Sequence, residues 1–329
     1  MESQPAPKPQ PFPEIPGYRI EAVIGRGSAG IVYRALQLAI ERKVALKVLH
    51  PELASRGRAV RRLQREARTT ARLSHPGIVS AIDMGTTNGL WWYAMELVDG
   101  PSLAERLKKS GVLSEREALR LFIPLCEALE HAFEHGVVHR DIKPANIFMV
   151  GRERARVLDF GIARMAQQHD LPLEQEVSGG SPYYMAPEQI LEQPVDARSD
   201  VYALGVVLYE LLAGRRAFAG RTLAEIQRAV LERPPPLASD VAPAVPPALA
   251  RIAARAMAID PDRRHPSAAA LARELRQWQS ARAVPAAGPT AARASCRKSA
   301  LNCSRSSADS ATLTVLMATR RASVGSCAA

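Results

Sequence analysis

The sequence predicts an α+β protein in two unequal parts, a small antiparallel β-sheet lobe with one helix followed by a larger, mainly helical lobe. Three observations predict it. Period-two runs of β-branched and apolar residues dominate the first hundred residues. Val98-Asp99-Gly100-Pro101 then supplies a turn signal. Beyond it the apolar spacing becomes helical.

Strands are expected near Tyr18–Gly25, Ile31–Leu38 and Lys43–Leu49, because apolar and polar residues alternate there. Arg58–Leu73 reads as a charged amphipathic helix, followed by strands over Ile78–Thr86 and Leu90–Leu97. Past the turn, Ser114 with Glu117 three residues on resembles a capping box opening a helix to about His135. A short strand pair is expected at Ile147–Val150 and Arg156–Leu158, and helices at Arg198–Ala213, Leu223–Leu231, Pro247–Ala258 and Ser267–Gln279. Tyr202–Leu212 is the longest apolar run, but it carries Glu210 and is too short to span a bilayer, so it reads as a core helix. Pro234–Pro247 reads as an inter-helix loop.

The expected organisation is a Pro-rich leader at 1–17, a domain at 18–279 (lobes 18–97 and 101–279), and a disordered Ala/Ser/Arg-rich tail at 280–329. The leader shows no apolar signal-peptide core, so a cytoplasmic location is expected. The net charge is +11, but the tail alone carries seven basic side chains against Asp309. With no basic motif interleaved with aromatics, nucleic acid is disfavoured as a partner. Cys126 sits in an apolar helical stretch, and Cys296, Cys303 and Cys327 lack metal-ligand spacing, so neither disulfides nor a cysteine-ligated metal site is expected.

Gly25-Arg26-Gly27-Ser28-Ala29-Gly30 is a GxGxxG segment. A dinucleotide fold would follow it with a helix, whereas here Ile31-Val32-Tyr33-Arg34 reads as a strand, which places the glycines at a hairpin tip. Missing side chains at Gly25, Gly27 and Gly30 let backbone approach phosphate oxygens. On the third strand Ala45 and Lys47 share a face, so a small residue leaves room for a planar base beside an ammonium that can neutralise phosphate. Glu66 is the chosen anionic partner for Lys47, although each, taken singly, also reads as a solvated surface charge. The strongest signal is His139-Arg140-Asp141-Ile142-Lys143-Pro144-Ala145-Asn146 followed by Asp159-Phe160-Gly161. Asp141, Asn146 and Asp159 offer hard oxygen ligands or acceptors, and Mg²⁺ takes a few of these together with phosphate oxygens.

In this order and spacing, with Met185-Ala186-Pro187-Glu188 and Asp200…Gly205, the chain resembles the protein kinase superfamily, and more narrowly the bacterial Hanks-type (eukaryotic-like) serine/threonine protein kinases. The resemblance covers about four-fifths of the chain. It implies a bilobal kinase fold and transfer of the ATP γ-phosphate to Ser/Thr hydroxyls of protein substrates, with ATP and Mg²⁺ (Mn²⁺ as an alternative) as cofactors. The backbone of Gly25, Arg26, Gly27, Ser28, Ala29 and Gly30 would then cover the phosphates, with Lys47 on the α- and β-phosphates and held by Glu66. Asp141 would be the catalytic base, Lys143 would contact the γ-phosphate, and Asn146 and Asp159 would hold the metal. Lys143 in HRDxKxxN also goes with serine/threonine rather than tyrosine acceptors. Met95 is the implied gatekeeper, Glu96–Val98 the adenine-binding hinge, and Val32, Ala45 and Phe148 the sandwich around the base; Met95 and Phe148 also read as ordinary core residues. Structural roles are implied for the Glu188–Arg264 pair and for Asp200, which would brace the catalytic loop. A catalytically silent pseudokinase scaffold and a small-molecule phosphotransferase are the alternative functions. Glu210 matches one acidic position that basophilic relatives use for substrate arginines, while Ser102 and Ala145 stand at two others. Input would come through a regulatory partner, a second copy, the tail or the activation loop.

One departure concerns regulation. Arg140 is of the kind that relatives neutralise with an activation-loop phosphate, yet residues 162–177 contain no Ser, Thr or Tyr. The candidates that remain include Ser178 and Ser181, and we take phospho-Ser178, or the carboxylates of Glu174 and Glu176, to answer the Arg140 charge. Replacing Ser178 by Ala and both glutamates by Gln should therefore lower specific activity, and an unchanged rate contradicts the assignment.

Overall fold

The computed structural model describes residues 12–27, 30–51, 71–151, 154–158 and 181–283. Where the sequence alternates, it forms strands: β1 (Tyr18–Gly27), β2 (Gly30–Gln37), β3 (Arg42–Leu49), β4 (Ala81–Thr87) and β5 (Leu90–Glu96). They build one antiparallel sheet in the order β1-β2-β3-β5-β4. The helix expected over 58–73 lies almost wholly outside the described residues.

Because side chains alternate across a strand, the sheet separates two apolar clusters. Val44, Leu46, Val48, Trp92 and Ala94 face one side, covered by Ile15 and Tyr18. Ala45, Leu49, Trp91, Tyr93 and Met95 face the other, with Val32, Val98 and Leu158 packed against them. The first cluster stabilises the lobe; the second continues into the site.

Past residue 101 come α1 (Leu103–Ser110), α2 (Glu115–Glu134) and the hairpin β6 (Ile147–Val150) with β7 (Arg154–Val157). These are followed by α3 (Pro187–Ile190), α4 (Ala197–Ala213), α5 (Leu223–Glu232), α6 (Ala238–Val241), α7 (Pro247–Ala256) and α8 (Ala268–Ala283). The α2 capping box forms as expected: Ser114 Oγ accepts the Glu117 N–H, and the Glu117 carboxylate accepts the Ser114 N–H at 3.0 Å. α4 is buried continuously from Ser199 to Tyr209, as a helix that is apolar all round must be. Among the described residues no helix is long and apolar enough to cross a membrane.

Two seams join the sheet to the helical lobe. At the crossing segment, Met149 N–H donates to Pro101 O at 2.9 Å, and a Cβ on Gly100 would meet Met149 O at 2.0 Å. Only glycine permits that approach. At the second seam Val79 N–H donates to Val157 O at 3.0 Å, and Val157 N–H to Gly77 O at 2.8 Å.

α3 is fixed to the helical core by a buried ion pair. Arg264 Nη1 and Nη2 grip Glu188 Oε1 and Oε2, each at 2.8 Å. The remaining guanidinium protons go to the carbonyls of Ala258, Arg198 and Ile259 at 2.8, 2.9 and 3.0 Å. All five donors are thereby satisfied, and Ser199 Oγ donates to Glu188 as well. Burial alone would raise the Glu188 carboxyl pKa, but the hydrogen bonds from Arg264 and Ser199 hold it below the ordinary glutamate value of 4.5. A depressed acid stabilises the fold above its unfolded pKa, and that contribution is lost as the pH falls through the folded value. Glu188→Gln should therefore cost about 3–5 kcal/mol near neutral pH, with the gap to wild type narrowing below pH 4.5. Thermal melts across pH check this; a gap that is absent at neutral pH, or constant into strong acid, contradicts it.

Candidate active site

The loop between α2 and β6 takes its shape from one carboxylate. Asp200, in the first turn of α4, is buried, and its Oδ2 and Oδ1 accept the backbone N–H groups of His139 and Arg140 at 2.7 and 2.8 Å. Burial raises the Asp200 carboxyl pKa, while those two donors favour its charged form. Arg140 sits at φ 66°, a left-handed conformation costing about 1–2 kcal/mol for an L-residue. Its N–H bond to Asp200 helps to hold that conformation.

His139 locks the next peptide. Its Nδ1 accepts the Asp141 N–H at 3.2 Å, so its Nε2 carries the proton and donates to Leu158 O at 2.9 Å. Leu158 N–H in turn donates to Asn146 O at 2.9 Å. Leu158 is thus held from two sides, immediately before Asp159.

The loop gathers three of the sequence-predicted groups. Lys143 Nζ lies 2.9 Å from Asp141 Oδ2. Asn146 Nδ2 donates to Asp141 O at 2.8 Å and to Asp141 Oδ2 at 3.0 Å. A single 3-10 turn, Pro144–Asn146, brings Asn146 back towards Asp141, with proline at its first position where no N–H is needed.

On the sheet, Lys47 pairs across the strands with Val32 and with Tyr93, and Ala45 lies opposite Met95. Cross-strand partners share a face, so Val32, Ala45, Lys47 and Met95 line one surface. Met95 is buried within that cluster, whereas Val32, Val98 and Phe148 are half-buried. Glu96 N–H already donates to Ser80 O at 3.1 Å. At the β1–β2 tip Gly25 pairs with Val32, Arg26 with Ile31 and Gly27 with Gly30. A Cβ on Gly30 would stand 2.1 Å from Val48 O, so this glycine serves strand approach. Ser28, Ala29, Glu66, Asp159 and Ser178, and the side chain of Ser181, lie outside the described residues.

Sequence reading passed over two features. Arg156 Nη1 and Nη2 bind Glu96 Oε1 and Oε2 at 2.6 and 2.7 Å, and Nη2 also reaches Ile78 O at 2.8 Å. These hydrogen bonds hold the Glu96 carboxyl below the usual range. The available signal was an arginine beside Val157 and Leu158 in a stretch read as a strand. The second is the anchoring of Tyr183 and Tyr184. Tyr183 OH donates to Gly220 O at 2.8 Å under the Arg216 guanidinium, 3.9 Å from the ring centroid, and Tyr184 OH donates to Glu210. Burial, with Glu210 beside it, pushes the Tyr184 hydroxyl pKa up. Glu210, read as a candidate for substrate arginines, therefore already serves Tyr184. Ser102, at another of those positions, caps α1 by accepting the Glu105 N–H at 3.2 Å.

The donor chemistry fits a nucleotide and a hard cation. Asn146 uses its amide N–H on Asp141, which leaves its carbonyl oxygen as the hard donor. Asn146 and Asp159 together would leave most of an Mg²⁺ shell to phosphate oxygens and water, the arrangement this ion prefers. Ala45 and Val32 supply a flat apolar face next to Lys47.

Residues 18–275 match the family model described as protein kinase domain. The chain is 40% identical over 262 residues to serine/threonine-protein kinase Pkn1 of Myxococcus xanthus, covering 78% of this chain and 38% of that protein. It is 37% identical over 251 residues to serine/threonine-protein kinase PrkC of Bacillus subtilis, covering 76% and 39%. It thus spans about two fifths of these relatives' length. The crystal structure of the Mycobacterium tuberculosis PknI kinase domain superimposes with a TM-score of 0.65 at 30% identity, covering 80% of this chain and 96% of that one.

Proposed function

This chain belongs to the protein kinase family, and from that premise we propose that it transfers the γ-phosphate of ATP to Ser or Thr hydroxyls of protein substrates. The observation that carries the reading is the packing of Asp141, Lys143 and Asn146 into hydrogen-bond reach of one another on a rigid loop.

In this reading Asp141 accepts the proton of the acceptor hydroxyl as the new O–P bond forms and the bond to the ADP oxygen breaks. Lys143 neutralises charge on the transferring group, and Lys47, with Glu66, positions the α- and β-phosphates. Val32, Ala45, Met95 and Phe148 receive the base, the backbone of Glu96–Val98 its polar edge, and the Gly25–Gly30 backbone covers the phosphates. Mg²⁺, held by Asn146 and Asp159, would supply further charge neutralisation when bound. Fixed cations and dipoles aimed at developing charge need little reorganisation, which is how such a site lowers a barrier. The same reading takes the reaction to occur in the cytoplasm, where ATP is available, with input from a partner, from a second copy or through Ser178, Ser181 and Arg140.

Incubation with ATP, Mg²⁺ and casein should place phosphate on Ser or Thr, and Asp141→Asn should reduce transfer by roughly a hundredfold or more while nucleotide binding persists. Nucleotide binding by the wild-type chain without transfer overturns the proposal.

A further inference from the structure

Gln189 is the third residue of α3, and both ends of its amide are in use. Its Oε1 accepts the N–H of Ala186 at 3.0 Å, and its Nε2 donates to the carbonyl of Arg140 at 3.0 Å. Reversing the amide would set oxygen against oxygen and N–H against N–H, so the orientation is determined by its partners.

The first bond is ordinary helix capping, with the side chain at N3 reaching back to the N-cap N–H. Glutamate would serve equally well there, and its charge would suit a helix N-terminus better. The second bond needs a donor, which a carboxylate lacks. Glutamine therefore satisfies both demands.

The carbonyl it holds belongs to the peptide that joins Arg140 to Asp141. The N–H of that same peptide is held by His139 Nδ1, and the preceding N–H by Asp200. Gln189 restrains the carbonyl side of that plane, at a residue whose φ is positive. It is also a direct link between the 181–188 segment and the catalytic loop.

We propose that Gln189 is a positioning residue for Asp141: it fixes the Arg140–Asp141 peptide plane, and with it the carboxylate, to the segment ending in Met185-Ala186-Pro187-Glu188. The inference rests on Asp141 acting as the base.

Its test compares two variants of the full chain with wild type, using casein and Mg-ATP between pH 8 and mildly acidic pH. Gln189→Leu should lower kcat roughly ten- to hundredfold, with the KM for ATP and nucleotide binding unchanged. Gln189→Glu should lose a similar factor at neutral pH. Its kcat relative to wild type should then recover as the pH falls towards the pKa of the introduced carboxyl, which the facing carbonyl raises. A protonated carboxyl regains the donor, whereas the leucine variant should show no such recovery. Gln189→Glu keeps the bond to Ala186, so it carries the test if the leucine variant does not fold. An active wild type with kcat intact in either folded variant overturns this inference alone. So does a glutamate variant whose deficit does not change with pH. A wild type that transfers no phosphate overturns the kinase reading and this inference with it.

Discussion

The site depends on one buried carboxylate. Asp200 lies on the most deeply buried of the described helices, and its desolvation is partly offset by the two backbone N–H groups it accepts. Those N–H groups open the loop that carries Asp141, so the loop is anchored to α4. That attachment helps to hold the positive φ of Arg140, while His139, its tautomer set by the Asp141 N–H, helps to place Leu158 ahead of Asp159. A buried carboxylate is costly unless its lone pairs are met, and here the donors that meet it lie immediately before Asp141.

The rest of the molecule divides the work. The sheet uses one face for its own stability and the other for the slot that holds Val32, Ala45 and Lys47. The crossing segment at Gly100 and the seam from Gly77 to Val79 connect that sheet to β6 and β7 at two points. Arg156 ties both to Glu96, at the end of β5. On the far side, Glu188 and Arg264 hold α3, while Tyr183 and Tyr184 hold the stretch before it against the end of α4 and the turn that follows. The 181–188 segment and the loop that carries Asp141 thus share one buried support, α4.

Much of this was legible from residue order. The alternation in β1 to β5, the Ser114–Glu117 box and the unbroken apolar run of α4 are local signals, and each formed within a residue or two of its expected bounds except β4, which begins at Ala81, three residues after Ile78. The Asp141, Lys143 and Asn146 constellation was legible because it lies within six consecutive residues. α1 was missed because it is short and charged and buries little beyond Leu103, directly after a strong turn signal. α6 was missed inside a Pro-rich stretch read as loop, since its four residues carry almost no periodicity. The Arg156–Glu96 pair spans sixty residues of sequence and exists only once the topology brings β7 beside β5. Tyr184 capturing Glu210 is of the same kind: the carboxylate was visible in the sequence, its partner was not.

The measurement that bears most directly on this account is amide hydrogen exchange combined with turnover in Asp200→Asn. Asparagine keeps one acceptor oxygen but sets an NH₂ group against the second backbone donor. The account predicts that protection falls at His139 and Arg140 while the central amides of α4 stay protected. It predicts also that kcat drops more than roughly tenfold with nucleotide binding retained. Unchanged protection at those two amides together with an unchanged kcat would contradict it.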